Sequence, residues 1–446
     1  MSGGQQTSVF AADAPLSRAL STPQQVPVSV ADVSDASVAA DTADLRQVLQ
    51  AVVEGRAAGA PPTDWARTLA LARLHQLDAF LFDAVAAWPA ECRPDAAILS
   101  EWARLQRSRI VAAIRMREQR AVFLAALNAA GVPAIPLKGA WLAEAVYPDL
   151  IQRPMSDMDL LIRPEQLDTA QAVMTALGYA AVMENQPGGW GKERLFRHPE
   201  WRCGVEIQWS LWHPSHKLTP GQDLARLWDS AEAGRLSGVD VPLLPPAVHL
   251  VYLAYHLQAH QWRFPARAHL DLVLLGRRFA SALSVETLEA EARAWGLGFR
   301  APFVWRVAHD LCGVEPPAAL AAWTRPLEAF GTERRAALEV ALPGAGPGVA
   351  MSHLLSEFRQ ASWWRRAAVG LRAVLVPPAK LRQAYPAATR WCGLAGGYAA
   401  RAADLVRRRR RDAFPDDHRR ASVAQAAEDM SARLRLGRWL ASQEQR

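Results

Sequence analysis

The chain has 446 residues, 50% of them hydrophobic and 21% charged, with a formal net charge of +7. That length and apolarity allow a large core in two or three domains and exclude a wholly disordered protein. The basic balance favours anionic partners such as nucleotides, nucleic acid or membrane surfaces, without choosing among them.

The four cysteines, Cys92, Cys203, Cys312 and Cys392, form no C-x-x-C pair. A zinc ribbon or a disulfide framework is therefore not expected, and a reducing cytoplasm is the simplest setting. The first residues lack a basic segment followed by an apolar core, and no run approaches about 18 uninterrupted apolar residues. Neither a signal peptide nor a transmembrane segment is expected, and the localisation read from this is cytoplasmic.

In chain order, residues 1–40 are rich in Ala, Ser, Val, Pro and Gln without sustained periodicity and read as a flexible leader. Residues 41–131 form an N-terminal helical region. There, "TDWARTLALARLHQLDAFLFDAVAAW" (63–88) repeats apolar residues at helical spacing behind a Thr N-cap. Residues 94–131 do the same and end on Gly131, which suits a helix C-terminus.

The texture changes at 132. "VPAIPLKG" (132–139) reads as a short strand running into the helical "AWLAEAVY", and "DMDLLI" (157–162) as a second strand. Pro164 opens an amphipathic helix, where its missing N–H costs nothing. "YAAVME", "RLFRHP" and "CGVEIQWSLW" are further strands, so 132–243 is an α+β core. From 244 to 400 the pattern is helical again, and 401–446 is a basic helical tail. The fold class expected is α+β, a small mixed sheet flanked by N- and C-terminal helical regions.

The chemistry gathers in that core. Residues i and i+2 of a strand share a face with Cα atoms about 6.6 Å apart, so Asp157 and Asp159 project side by side. Two carboxylates so close repel, and a cation between them removes the penalty. Oxygen-only ligands suit Mg²⁺ or Mn²⁺.

In "VEIQWSLW", Val205, Ile207 and Trp209 make an apolar face, so Glu206 and Gln208 point the other way. If this strand lies beside 157–162, Glu206 joins the aspartates. Three carboxylates can then hold two ions about 3.5–4 Å apart, the arrangement used in phosphoryl transfer.

Lys138 and Gly139 stand where a strand passes into a helix, which offers backbone N–H groups and a point charge to a phosphate. Lys-Gly lies about 18 residues ahead of the D-x-D, and Glu206 about 47 beyond it, spacings that fit strand–helix–strand connections. Arg153, in the loop before the D-x-D, is a candidate for bidentate phosphate contact, with a plain surface arginine as the alternative. His249, His256 and His260 share a helical face; packing against a core is the commoner reason for such a row than zinc.

Roughly 130–275 resembles the bacterial nucleotidyltransferase-like family of the DNA polymerase β superfamily, often found beside peptide or polysaccharide biosynthesis genes. The matching residues are "LKGAWLAEAVYPD", "RPMSDMDLLI", the Gly178-Tyr179 pair, "VEIQWSLW" and "HLQAHQW…HLDLVLL". The resemblance implies a small mixed sheet flanked by helices, two divalent metals and a nucleoside triphosphate donor. Asp157 and Asp159 take the place of the family's metal ligands and Glu206 that of its third carboxylate. Lys138 and Gly139 replace the Gly-Ser pair of better-known members, and Gln208 stands where many relatives have a His. His256, His260 and Asp271 match recurring positions and would line the cleft from the helical side.

The function expected is therefore metal-dependent transfer of a nucleoside monophosphate, with release of pyrophosphate, to a small molecule, sugar, peptide or RNA. A D-x-D glycosyltransferase using one metal is the alternative enzyme. It calls for a larger nucleotide-binding domain ahead of the D-x-D, where the sequence is helical. An inert scaffold serving a biosynthetic partner is the other alternative, and degraded acidic residues would signal it; all three acids are present. "SWWRRAAVGLRAVLVPPAKL" (362–381) reads as a helix packed on its own protein, with membrane contact as the alternative. Arg407 to Arg411 offers possible nucleic-acid or membrane contact, without a recognised motif to support it.

Overall fold

The structure, a computed structural model, describes residues 35–182, 193–201, 203–212, 224–260, 262, 264–341, 378, 381–382, 385–413 and 417–444. Residues 1–34 of the expected leader and nearly all of 362–381 lie outside the described residues, as do the side chains of Arg407 to Arg411.

Four helices come first: α1 (Asp35–Val53), α2 (Trp65–Leu74), α3 (Asp78–Ala86) and α4 (Ala96–Ala129). The first begins inside the stretch expected as leader. The single helix expected over 63–88 is two, because Gln76 takes φ +57° and turns the chain between α2 and α3. Asp64, not Thr63, is the N-cap of α2, accepting from the Arg67 N–H, while Thr63 bonds Asp44. The other expected long helix stands: Asp95 caps α4, and Gly131 follows it with φ +72°.

The sheet then forms from β1 (Ile135–Leu137), β2 (Asp157–Leu161), β3 (Ala180–Ala181), β4 (Glu193–Arg197) and β5 (Gly204–Gln208), in the spatial order β1-β2-β5-β4-β3. Helix α5 (Lys138–Ala145) leaves β1 directly, and α6 (Leu167–Ala176) crosses between β2 and β3. β2 is an interior strand, antiparallel to β1 and parallel to β5. Its far face, Met158 and Leu160, is fully buried, as are Val205 and Ile207 of β5. A one-residue slip would put these four against the site and the acids in the core, so the apolar pattern holds the register.

After α7 (Leu224–Ser230) comes a hairpin the sequence reading did not name, β6 (Glu232–Leu236) and β7 (Val239–Leu243). Its turn is Ser237-Gly238, both with positive φ, which matches the twist of a two-residue hairpin loop. The helical second half holds α8 (Pro246–Ala259), α9 (Arg267–Arg278), α10 (Val285–Ala294), α11 (Arg300–Cys312), α12 (Ala321–Thr324), α13 (Gly331–Ala341), α14 (Pro386–Ala413) and α15 (Asp417–Glu444). One apolar cluster runs from α1 and α3 through the sheet to α8, α9 and α11. Arg46 of α1 donates to the carbonyls of Asp310 and Leu311 on α11, so helices from the two halves meet directly. Among the described residues no helix is long and apolar enough to cross a membrane.

Candidate functional site

Register places the acids. Asp157 lies opposite Gly204 and Asp159 opposite Glu206, so Asp157, Asp159 and Glu206 share one face of the β2–β5 pair. Gly204 leaves room there: a Cβ on it would meet Leu195 Cδ1 at 2.9 Å. Gln208 stands on the same face as Glu206. Its Nε2 donates to Asp159 Oδ1 (2.8 Å) and Glu206 Oε1 (2.5 Å), and its own Oε1 is buried without a partner.

Lys138 enters from β1 and donates to the same Asp159 oxygen, Nζ to Oδ1, at 2.7 Å. Its backbone is in the left-handed region, φ +46°, at the point where the strand becomes a helix. A non-glycine residue there stores strain of the kind that clusters at functional sites. Burial would push the Lys138 ammonium down, but Asp159, with Tyr252 and Glu206, reverses that and holds it above its ordinary value.

The carboxylates pay for their crowding. Burial, then Asp159, pushes Glu206 up to about 8. Asp157, at the solvent-facing start of the strand, is also raised, first by burial and then by Asp159; Ser156 Oγ donates to it at 3.2 Å.

Around this face lies a second cluster. Arg153 donates Nε and Nη2 to the two oxygens of Asp271 on α9, at 2.8 and 2.7 Å, and the Tyr147 hydroxyl adds a third bond at 2.7 Å. Sequence reasoning assigned Arg153 to a phosphate and Asp271 to the cleft wall. The structure instead binds them to each other, 5% and 3% exposed. The third nitrogen of Arg153 lies against Gly139: a Cβ there would sit 2.1 Å from Nη1, so the lysine-glycine corner rests on the clamped guanidinium.

The histidines separate. His249 is fully buried, stacked on Trp141 at 4.2 Å, and burial pushes its pKa down to about 3. His256 and His260 sit 4.6 Å apart (ring centroids) at the end of α8, each against Phe264. Among the described residues no three His, Cys, Asp or Glu side chains converge as a ready metal cage.

Two residues near the carboxylates were missed. The Tyr252 hydroxyl of α8 lies beside Lys138 and feels Asp159 and Glu206, and Arg267 of α9 feels Asp157. A signal existed, since each stands four residues before a flagged position, His256 and Asp271, on the same helix face.

The donor set suits a divalent cation. It is all carboxylate oxygen, two of its members are raised by burial and then by Asp159, and a buried amide oxygen beside them lacks a partner. Lys138 meets part of that demand now.

The family model of an uncharacterised nucleotidyltransferase matches residues 61–313. The chain belongs to this nucleotidyltransferase family. The match spans the sheet, the site residues and helices α8 and α9. No curated protein matches the chain. Among solved structures, the solution structure of the antibiotic-resistance factor ANT(2'')-Ia is similar at 17% identity, covering 40% of this chain and 89% of that one, with a TM-score of 0.28. Family membership makes the protein a nucleotidyltransferase and implies a nucleotide substrate.

Proposed function

We propose that this family member moves a nucleoside monophosphate from a nucleoside triphosphate to an acceptor and releases pyrophosphate, using two Mg²⁺ or Mn²⁺ ions. The observation that carries this reading is the register of β2 and β5, which sets Asp157, Asp159 and Glu206 on one face beside the buried Lys138. Those three carboxylates would hold the ions, which would supply charge neutralisation to the reacting phosphate.

Lys138, exchanging Asp159 for a phosphate oxygen, and the Gly139 amide at the start of α5 hold the triphosphate. Glu206 is the best candidate of the three to polarise the incoming nucleophile. Most of the rate comes from positioning and preorganised charge. The acceptor is a small molecule, a sugar, a peptide or RNA. Among the described residues only one strand, β1, precedes the D-x-D, which disfavours the glycosyltransferase alternative with its large leading nucleotide domain.

Calorimetric titration of the four ribonucleoside triphosphates with Mg²⁺ or Mn²⁺ tests this. Metal-dependent binding to wild type that Asp157→Ala/Asp159→Ala abolishes is the expected result. If none of the four binds wild type, the proposal fails and the inert-scaffold reading replaces it.

A further inference from the structure

Arg267 stands in the first turn of α9, four residues before Asp271. Its backbone N–H donates to the His75 carbonyl at 3.2 Å, and its Nη1 donates to the Pro154 carbonyl, three residues before Asp157. These two bonds fix the guanidinium at the entry to β2. Its Nε is shut away from water without a partner. The Nε–Nη2 edge therefore carries no hydrogen bond, although this is the edge with which Arg153 grips Asp271.

A guanidinium keeps its charge at any ordinary pH, so one that is largely desolvated needs a counter-ion. Among the described residues Arg267 is in no ion pair. Asp271 is already filled by Arg153 and Tyr147. Arg153 stands close enough to repel Arg267: burial first, and then Arg153, push the Arg267 pKa below its ordinary value. Asp157 attracts it only partly, and Asp157 is itself committed to the cation in the function proposed above. Lys138 flanks Asp159 and Arg267 flanks Asp157, so the two cations bracket the aspartate pair. A planar cationic fork with a bond-free bidentate edge and no ion pair matches a phosphate rather than a neutral group or a metal.

We infer that Arg267 is a substrate-binding residue: its Nε–Nη2 edge takes the terminal phosphates of the nucleoside triphosphate beside Asp157. This inference rests on the nucleotidyl-transfer reading and adds the residue that recognises the polyphosphate from the helical side.

The test is calorimetric titration of the preferred triphosphate, its monophosphate and its nucleoside, each with Mg²⁺, into wild type, Arg267→Gln and Arg267→Lys. Arg267→Gln is expected to weaken the triphosphate by about 10- to 100-fold, the worth of a charge-assisted bond, and to leave the nucleoside unchanged. Its thermal midpoint is expected at or above that of wild type, because a repelled cation is gone. Arg267→Lys, which keeps the charge and loses the fork, is expected between the two. If wild type binds the triphosphate and Arg267→Gln binds it equally well, the inference is overturned while the function stands. Equal weakening of all three ligands, or a lower midpoint with no selective loss, assigns Arg267 a structural role and also overturns it. Should Arg267→Gln not fold, Arg267→Lys decides: wild-type triphosphate affinity sinks the inference, and a loss confined to the triphosphate supports it. No triphosphate binding to wild type removes the function proposal itself, a result separate from all of these.

Discussion

The Arg153–Asp271 pair and the Asp157–Asp159–Glu206 face bury ionisable groups within one core, but they reach different balances. In the pair, one cation meets one anion through two bonds, and Tyr147 supplies a third donor. Burial would raise the Asp271 carboxyl, yet Arg153 holds it below its ordinary value. On the sheet face three carboxylates share one lysine and one neutral amide, and two of them are raised. A matched buried pair positions the chain, whereas an unmatched cluster marks a candidate functional site. The two are joined mechanically, since Gly139 rests on Arg153 and Lys138 is its neighbour.

The largest effect expected is on the matched pair. Asp271→Ala leaves Arg153 buried and unpaired and should cost about 3–5 kcal/mol of unfolding free energy in a denaturant titration. A loss below about 1 kcal/mol would dissolve the contrast. Asp157→Asn should do the reverse. Stability stays within about 1 kcal/mol of wild type or rises, while divalent-cation affinity falls at least about 100-fold; equal loss of both would put Asp157 among the structural groups.

Gly139→Ala probes the joint. The methyl would sit 2.1 Å from a guanidinium that Asp271 prevents from swinging aside. A cost of about 1–3 kcal/mol is expected, together with weaker nucleotide binding. Wild-type stability for this variant would mean that the corner does not lean on Arg153.

The most gradual effect concerns acid. Burial lowers His75 and His309 to about 4, and His249 and His269 to about 3, from an ordinary 6.5. Groups depressed in the folded state give stability that is whole above pH 6.5 and lost as pH falls towards 4 and 3. Each contributes a slope of up to about 1.4 kcal/mol per pH unit. His249→Phe keeps the stack on Trp141 and should flatten the stability–pH curve by about one such increment; an unchanged slope would show that His249 does not titrate as a buried neutral ring.

Much of the sheet could be read from sequence, because strand parity is local: it put Asp157 with Asp159 and, given neighbouring strands, Glu206 with both. The lysine-glycine corner was legible for the same reason, as a strand running straight into a helix. What escaped depends on distance or on exceptions. Arg153 and Asp271 are 118 positions apart, and no periodicity links them. The break at Gln76 uses a left-handed residue without Gly or Pro to announce it. The β6–β7 hairpin was passed over although Ser237-Gly238 is a turn pair, because its strands alternate weakly. Tyr252 and Arg267 reach the site only through the packing of α8 and α9 on the sheet.

The most direct test of the central claim is a Mn²⁺ titration followed by electron paramagnetic resonance, with a non-hydrolysable triphosphate present. The account predicts two Mn²⁺ ions per chain in wild type, lost in Asp157→Ala/Asp159→Ala. Wild type that binds no Mn²⁺, or a double variant that binds it as wild type does, would contradict the assignment of these acids as a metal face.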